Sequence, residues 1–191
     1  MRKLIQQGEY LAGQCLVAMP LISDSRFAKT VVYVCTHTPT GAMGLVVNRM
    51  IEAITFPDLL EQLGIQATAA CRGVHVHAGG PVEAGHGFVL HSADYMHDAT
   101  IMVDQHVRLT ATVDVLKAIA EGHGPRRSML ALGYAGWGGG QLDNELRQNV
   151  WLTVPADEEL VFGSDLDHKW DQAMGRLGID VRMLSWEFGH A

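Results

Sequence analysis

The segment Leu132-Gly-Tyr-Ala-Gly-Trp-Gly-Gly-Gly-Gln-Leu-Asp-Asn-Glu-Leu146 constrains the fold more than any other part of this chain. The apolar run from Ser128 to Leu132 predicts a buried strand, and a helical spacing opens at Gln141 and runs to Asn149. Between them, five glycines crowd around Tyr134 and Trp137. A glycine-rich strand-to-helix turn lets backbone approach a ligand closely, and the new helix offers unpaired N–H groups. The same geometry also serves as a tight packed turn. The order of residues excludes the two nucleotide-binding loops. No Lys-Ser/Thr follows the glycines, and G-x-G-x-x-G is absent.

On the predicted helix, Leu142 and Leu146 lie one turn apart and face the core. Gln141, Glu145 and Asn149 form a second row at the same spacing. That row is either a polar binding strip beside Trp137 or a set of ties between the turn and neighbouring strands. The second reading carries more weight, because buried polar groups normally satisfy partners. Gly79-Gly80-Pro81-Val82 is another backbone-driven motif, suited to a sharp turn that lines a pocket with the Trp137 loop or to a corner between sheets.

The remaining elements follow from short apolar runs and their breakers. Strands are predicted at Cys15–Met19, Thr30–Thr36, Gly44–Asn48, Val74–His77, Gly87–His91, Ala99–Val103 and Trp151–Val154. The second and third form a hairpin whose loop is longer than two residues. Helices are predicted from Pro57 to Leu63, Thr112 to Glu121 and Lys169 to Leu177, each closed by a glycine. Strands dominate the first half, and helices and strands then alternate. This is an α+β chain, and its 191 residues form a single domain over 1–191.

Composition narrows the function classes. Fourteen basic against 21 acidic residues give a formal charge of −7, and the only notable basic pair after Arg2-Lys3 is Arg126-Arg127. Direct nucleic-acid binding needs clustered cations, so it is disfavoured, as is an anionic membrane surface. No helix-turn-helix with a basic recognition face is present. Three cysteines without CxxC spacing and the lack of a secretory leader predict reduced thiols in the cytoplasm. No cofactor is predicted.

No catalytic motif emerges, so catalytic residues are predicted as none. Glu83 and Glu145 would make an acid/base pair only if the fold brought them together. His75-x-His77 puts two imidazoles on one side of a strand, with Cys35, His37 and His91 as further ligand candidates. Two histidines fall short of the three or four ligands zinc requires, so no metal site is predicted.

Several motifs together resemble one family. They are Tyr10-Leu-Ala-Gly13 with Ala18-Met-Pro20, Gly41-Ala-Met-Gly-Leu-Val-Val-Asn48, Gly79-Gly-Pro-Val82, Gly87-Phe-Val-Leu-His-Ser92, the glycine segment, Asn149-Val-Trp-Leu152 and the ending Gly189-His-Ala191. Over almost its whole length the chain resembles the bacterial YqgE/AlgH family. The resemblance implies a mixed, branched β-sheet curled into a pseudo-barrel with flanking helices. The family's function is largely uncharacterised, one branch being described as a regulator of alginate production. Gly139 stands where a proline is common, and Asp143 where a glutamate is common. The function expected is a non-enzymatic binding or regulatory module, a transcriptional regulator acting through a protein partner or small ligand. The alternatives are an enzyme of unrecognised type, using Glu145, His91 or a cysteine, and a direct DNA binder. The candidate ligand-binding residues are Asn48, Gly79, Gly80, His91, Tyr134, Trp137, Gln141 and Glu145.

Overall fold

In the computed structural model, residues 10–184 are described; the closing Gly189-His-Ala191 motif lies outside them. The elements run β1 (Gln14–Ala18), β2 (Val31–Thr38), β3 (Gly41–Val46), α1 (Phe56–Gln62), β4 (Val76–Ala78), β5 (Val82–Ser92), β6 (Ile101–Met102), β7 (Val107–Thr110) and α2 (Val113–Ala120). They continue with β8 (Ser128–Gly138), α3 (Gln141–Arg147), β9 (Trp151–Pro155), α4 (Glu158–Phe162), α5 (Lys169–Arg176) and α6 (Val181–Leu184). One curled sheet runs β6-β7-β5-β8-β3-β2-β1-β9, and β4 branches off β8. Every pairing along that path is antiparallel, and β4 with β8 is parallel. The α+β class and the mixed, branched, curled sheet agree with expectation.

The apolar runs of β1, β2 and β3 are continuous, because both faces of these strands are covered. Cys15, Val17, Val31, Tyr33, Leu45 and Val47 pack with Leu90, Met129, Trp170 and Met174 on one side. Leu16, Ala18, Val32, Val34 and Val46 pack with Trp137, Leu142 and Trp151 on the other. A third cluster fills the space between α1, α2 and the β5–β8 portion of the sheet.

Three local expectations are corrected. The strand ending at Leu132 continues to Gly138, so most of the glycine segment is strand and only Gly139-Gly140 turns the chain. The β2–β3 hairpin is tighter than expected, with Thr38 paired to Gly41 and a register shift between Val34 and Thr36 absorbing the difference. The strand β7 and helix α4 were not foreseen. Arg108 interrupts the apolar pattern of the first, and the second is a five-residue turn of helix capped by Asp157, which accepts from Leu160 N–H at 2.8 Å.

The sheet branches at Gly133. Below it, Leu130 to Leu132 lie between β4 and β5; above it, Ala135 to Gly138 pair with β3. Gly133 turns the strand with φ +71°. Gly79 and Gly80 carry the chain from β4 across β8 to Val82, which pairs with Tyr134. The Gly79 N–H donates to Leu132 O at 2.8 Å, and its carbonyl accepts from Val46 N–H at 2.8 Å. A Cβ on Gly79 would strike Gly133 O, and one on Gly80 the Tyr134–Ala135 peptide. Backbone crosses backbone here, and only glycine leaves room.

Candidate functional site

The short turn after β8 delivers α3. Gly140 enters the helix with φ +72° and has no side chain to cap it. Gln141 bends back instead, its Oε1 accepting from Gly138 N–H at 3.0 Å. Its Nε2 donates to Glu145 Oε1 at 2.9 Å. Glu145 Oε2 accepts two indole N–H groups, Trp137 Nε1 at 2.9 Å and Trp151 Nε1 at 2.8 Å. One carboxylate therefore clasps the end of β8 to the start of β9. The rings meet edge to face with centroids 5.9 Å apart, and Phe27 packs edge to face on Trp151 at 5.6 Å. As expected, Leu142 is buried and Leu146 packs beside it. Asn149 lies beyond the helix with φ +55°, outside the polar row.

The clasp forms the floor of an open recess of about 450 Å³, walled by Ile22, Phe27, Pro81, Val82 and Val150 and rimmed by Gln141 and Gln148. Of the sequence candidates, the structure brings Trp137, Gln141 and Glu145 together here, with Pro81 and Val82 of the second glycine motif. Gly79 and Gly80 sit at the chain crossing. The Tyr134 ring packs edge to face on Phe88 at 5.8 Å, against the core.

His91 and Asn48 lie elsewhere. His91 is buried between β5 and β7, bonded through Nδ1 to Ser92 O at 2.9 Å and through Nε2 to Thr110 Oγ1 at 2.8 Å. A carbonyl can only accept, so Nδ1 carries the proton, and Nε2 of the neutral ring accepts from Thr110. Burial holds its pKa below the usual histidine value. Asn48 joins two strand ends, accepting from Val31 N–H at 2.9 Å and donating to Lys29 O at 2.9 Å. Glu83 is exposed and does not line the tryptophan recess. The three cysteines are free and buried. Burial pushes the Cys15 thiol up to about 12 and raises that of Cys35. Buried thiols with raised pKa are poor nucleophiles.

A second recess, of about 600 Å³, opens between the β4 side of the sheet and the segment joining α4 to α5. Asn48, His75, His77, Ser164, Asp165 and Lys169 are among its lining residues. Lys169 is 1% exposed. Its ammonium donates to Val47 O at 3.1 Å and Val161 O at 3.4 Å, and no carboxylate among the described residues reaches ion-pair distance. Burial lowers its pKa to about 8, against the opposing pull of Cys15, Glu159 and Asp165. His77 donates through Nδ1 to Leu130 O at 3.1 Å, and burial lowers its pKa to about 4. Among the described residues no group of three His, Cys, Asp or Glu side chains is placed to hold a metal ion. Nor is any helix long and apolar enough to cross a membrane.

Sequence reasoning missed Lys169 and Trp151. The lysine did carry a signal. It stands one turn before Ala173, on the stripe that buries Trp170, Ala173 and Met174, where a cation is out of place. Trp151 had none beyond its place in an apolar strand. Its meeting with Trp137 depends on where α3 returns the chain.

Similarity to known proteins places the chain. A UPF0301 protein of Rhodospirillum rubrum is 59% identical, with 100% of both chains covered. One from Afipia carboxidovorans is 53% identical over 95% of this chain and 90% of its own. The solution structure of the AlgH protein from Pseudomonas aeruginosa aligns with a TM-score of 0.79 at 39% identity, covering 100% of each. A crystal structure of a Corynebacterium diphtheriae protein shares the fold, with a TM-score of 0.71 at 20% identity over 90% of each chain. The model of the AlgH-like family matches residues 15–182, and the chain belongs to that family.

Proposed function

We propose that this protein is a cytoplasmic, non-enzymatic binding or regulatory module, and that it regulates transcription through a ligand or protein partner rather than by touching DNA. The observation that carries this reading is the tryptophan recess, which is open, lined by both apolar and polar groups and floored by one carboxylate between two indoles. Concave apolar sites with a few convergent polar groups are the usual form of a small-molecule site. The groups an enzyme would need are dispersed. Glu145 serves the clasp, His91 lies buried within β5 and bonded to Ser92 and Thr110, and Cys15 and Cys35 are sealed in the core. A formal charge of −7 argues against duplex as the direct partner.

A thermal-shift screen across chemically diverse metabolites tests the reading, coupled to the indole N–H resonances of Trp137 and Trp151. At about a hundredfold excess over Kd, a one-site ligand stabilises the fold by about 2.7 kcal/mol. A compound that raises Tm and moves both resonances is the expected result. No response to any class of compound, or tight duplex binding at low salt, would overturn it.

A further inference from the structure

We propose that the tryptophan recess receives a cationic group, a guanidinium or alkylammonium, with Glu145 as its counter-ion. This inference rests on the recess being a ligand site. Glu145 is the least compensated charge there, because its three donors are neutral: one amide and two indoles. No cationic side chain among the described residues lies within ion-pair distance of it. Arg26 also lines the recess but is held by Asp24, through Nε at 3.0 Å to Oδ1 and Nη2 at 2.8 Å to Oδ2.

The lone-pair count leaves a place for the ligand. A carboxylate offers about two acceptor sites per oxygen. Two indoles fill Oε2, and Gln141 takes one site on Oε1. One site on Oε1 stays open. The recess that Glu145 lines is also lined by Trp137, Trp151, Phe27, Ile22 and Val82, with Ser23, Asp24 and Gln148 among its polar residues. Aromatic rings themselves attract cations within about 6 Å. The volume, about 450 Å³, accommodates a group the size of an arginine side chain. The acidic surface draws cations towards it from a distance.

The test follows the Trp137 and Trp151 indole N–H resonances of isotope-labelled full-length protein. It uses ethylguanidinium as the probe, with ethylurea and butyrate as neutral and anionic controls. Ethylguanidinium should move both resonances saturably, and the controls should bind at least about tenfold more weakly. High salt should weaken the cation. Glu145→Gln should weaken it about tenfold. Gln141→Glu keeps the clasp's two indole bonds and adds a carboxylate at the rim, so it should tighten ethylguanidinium severalfold whether or not the Glu145 variant folds. An arginine-containing peptide forms the last arm. Binding at least about tenfold tighter than ethylguanidinium would place the cation on a protein partner, and equal binding on a small molecule. If ethylurea or butyrate binds as well as ethylguanidinium, the cationic assignment is wrong while the recess remains a ligand site. If no probe moves either indole, and Gln141→Glu gains nothing, the cationic assignment falls, and the recess as a ligand site falls with it only if the metabolite screen is also silent.

Discussion

The two recesses each hold a charge that finds no counter-ion among the described residues, and they treat it in opposite ways. Glu145 is partly buried at the floor of an open recess and meets three neutral N–H donors. Lys169 is 1% exposed and meets two backbone carbonyls. A charge near water keeps most of its hydration and can recruit a partner. A charge drawn out of water raises the free energy of the folded state and lets its proton go more easily. The same deficiency thus becomes a binding feature in one recess and a stability cost in the other, according to access to solvent.

The largest effect expected is on the wall that the open recess shares with the core. Trp151 is among the largest fully buried side chains, and its indole is half of the clasp. Trp151→Ala should cost about 3–5 kcal/mol in chemical denaturation. It should also free one acceptor site on Glu145. A cost below about 1 kcal/mol would mean that the recess is no part of the folded core.

Much of this was legible in the chain, and the rest was not for physical reasons. The strands β1, β2 and β9 announced themselves as short apolar runs, and Leu142 and Leu146 as the inward face of α3. The residues of the tryptophan recess that were foreseen, Trp137, Gln141 and Glu145, span only nine positions, so local spacing sufficed to group them. Lys169 meets Val47 across 122 positions, and only the tertiary fold joins them. The glycines left two readings open, a ligand cradle or a packed turn, and Gly79, Gly80 and Gly133 make room for one strand to cross another. Close approach to backbone and close approach to a ligand demand the same residue, and sequence does not distinguish them.

The next effect sharpens the charge comparison through pH. Lys169 titrates near 8 in the fold and near 10.4 in an unfolded chain. Between those values the unfolded state holds more protons, so this group makes stability rise with pH; below about 8 its full cost is present. That cost is at most about 3 kcal/mol. Lys169→Met should therefore be more stable than the parent near neutrality, by up to that amount less the loss of two bonds to carbonyls, and the gap should close towards pH 10. Cys35 and Tyr33, both with raised pKa, pull stability the other way over the same range in both proteins, whereas Cys15 also feels the Lys169 charge. The difference between the two denaturation series therefore reports the lysine together with its coupling to Cys15. A gap that stays constant with pH would show that the ammonium is not desolvated.

In the open recess, Glu145→Ala should cost about 2 kcal/mol, because two indole donors lose their acceptor at once. Glu145→Gln should cost less, since an amide oxygen still accepts. The urea midpoint measures both. Equal losses for the two would mean that packing of the side chain, rather than acceptance of the indole bonds, holds the clasp.

Gln141→Ala should have the smallest effect, and its smallness carries information. The side chain is exposed, yet it makes two bonds, from Gly138 N–H and to Glu145. At Lys169, by contrast, water does not stand ready to replace a lost bond to Val47 or Val161. Here water stands ready to bond both Gly138 N–H and Glu145 Oε1, so the loss should stay near about 0.5 kcal/mol. Ligand binding should respond differently. Removing the amide opens a further acceptor site on Glu145 without touching the indoles, and a cation should bind no more weakly than to the parent protein. A stability loss above about 1.5 kcal/mol would mean that water does not reach this carboxylate, and Glu145 would then belong with Lys169 as a buried charge.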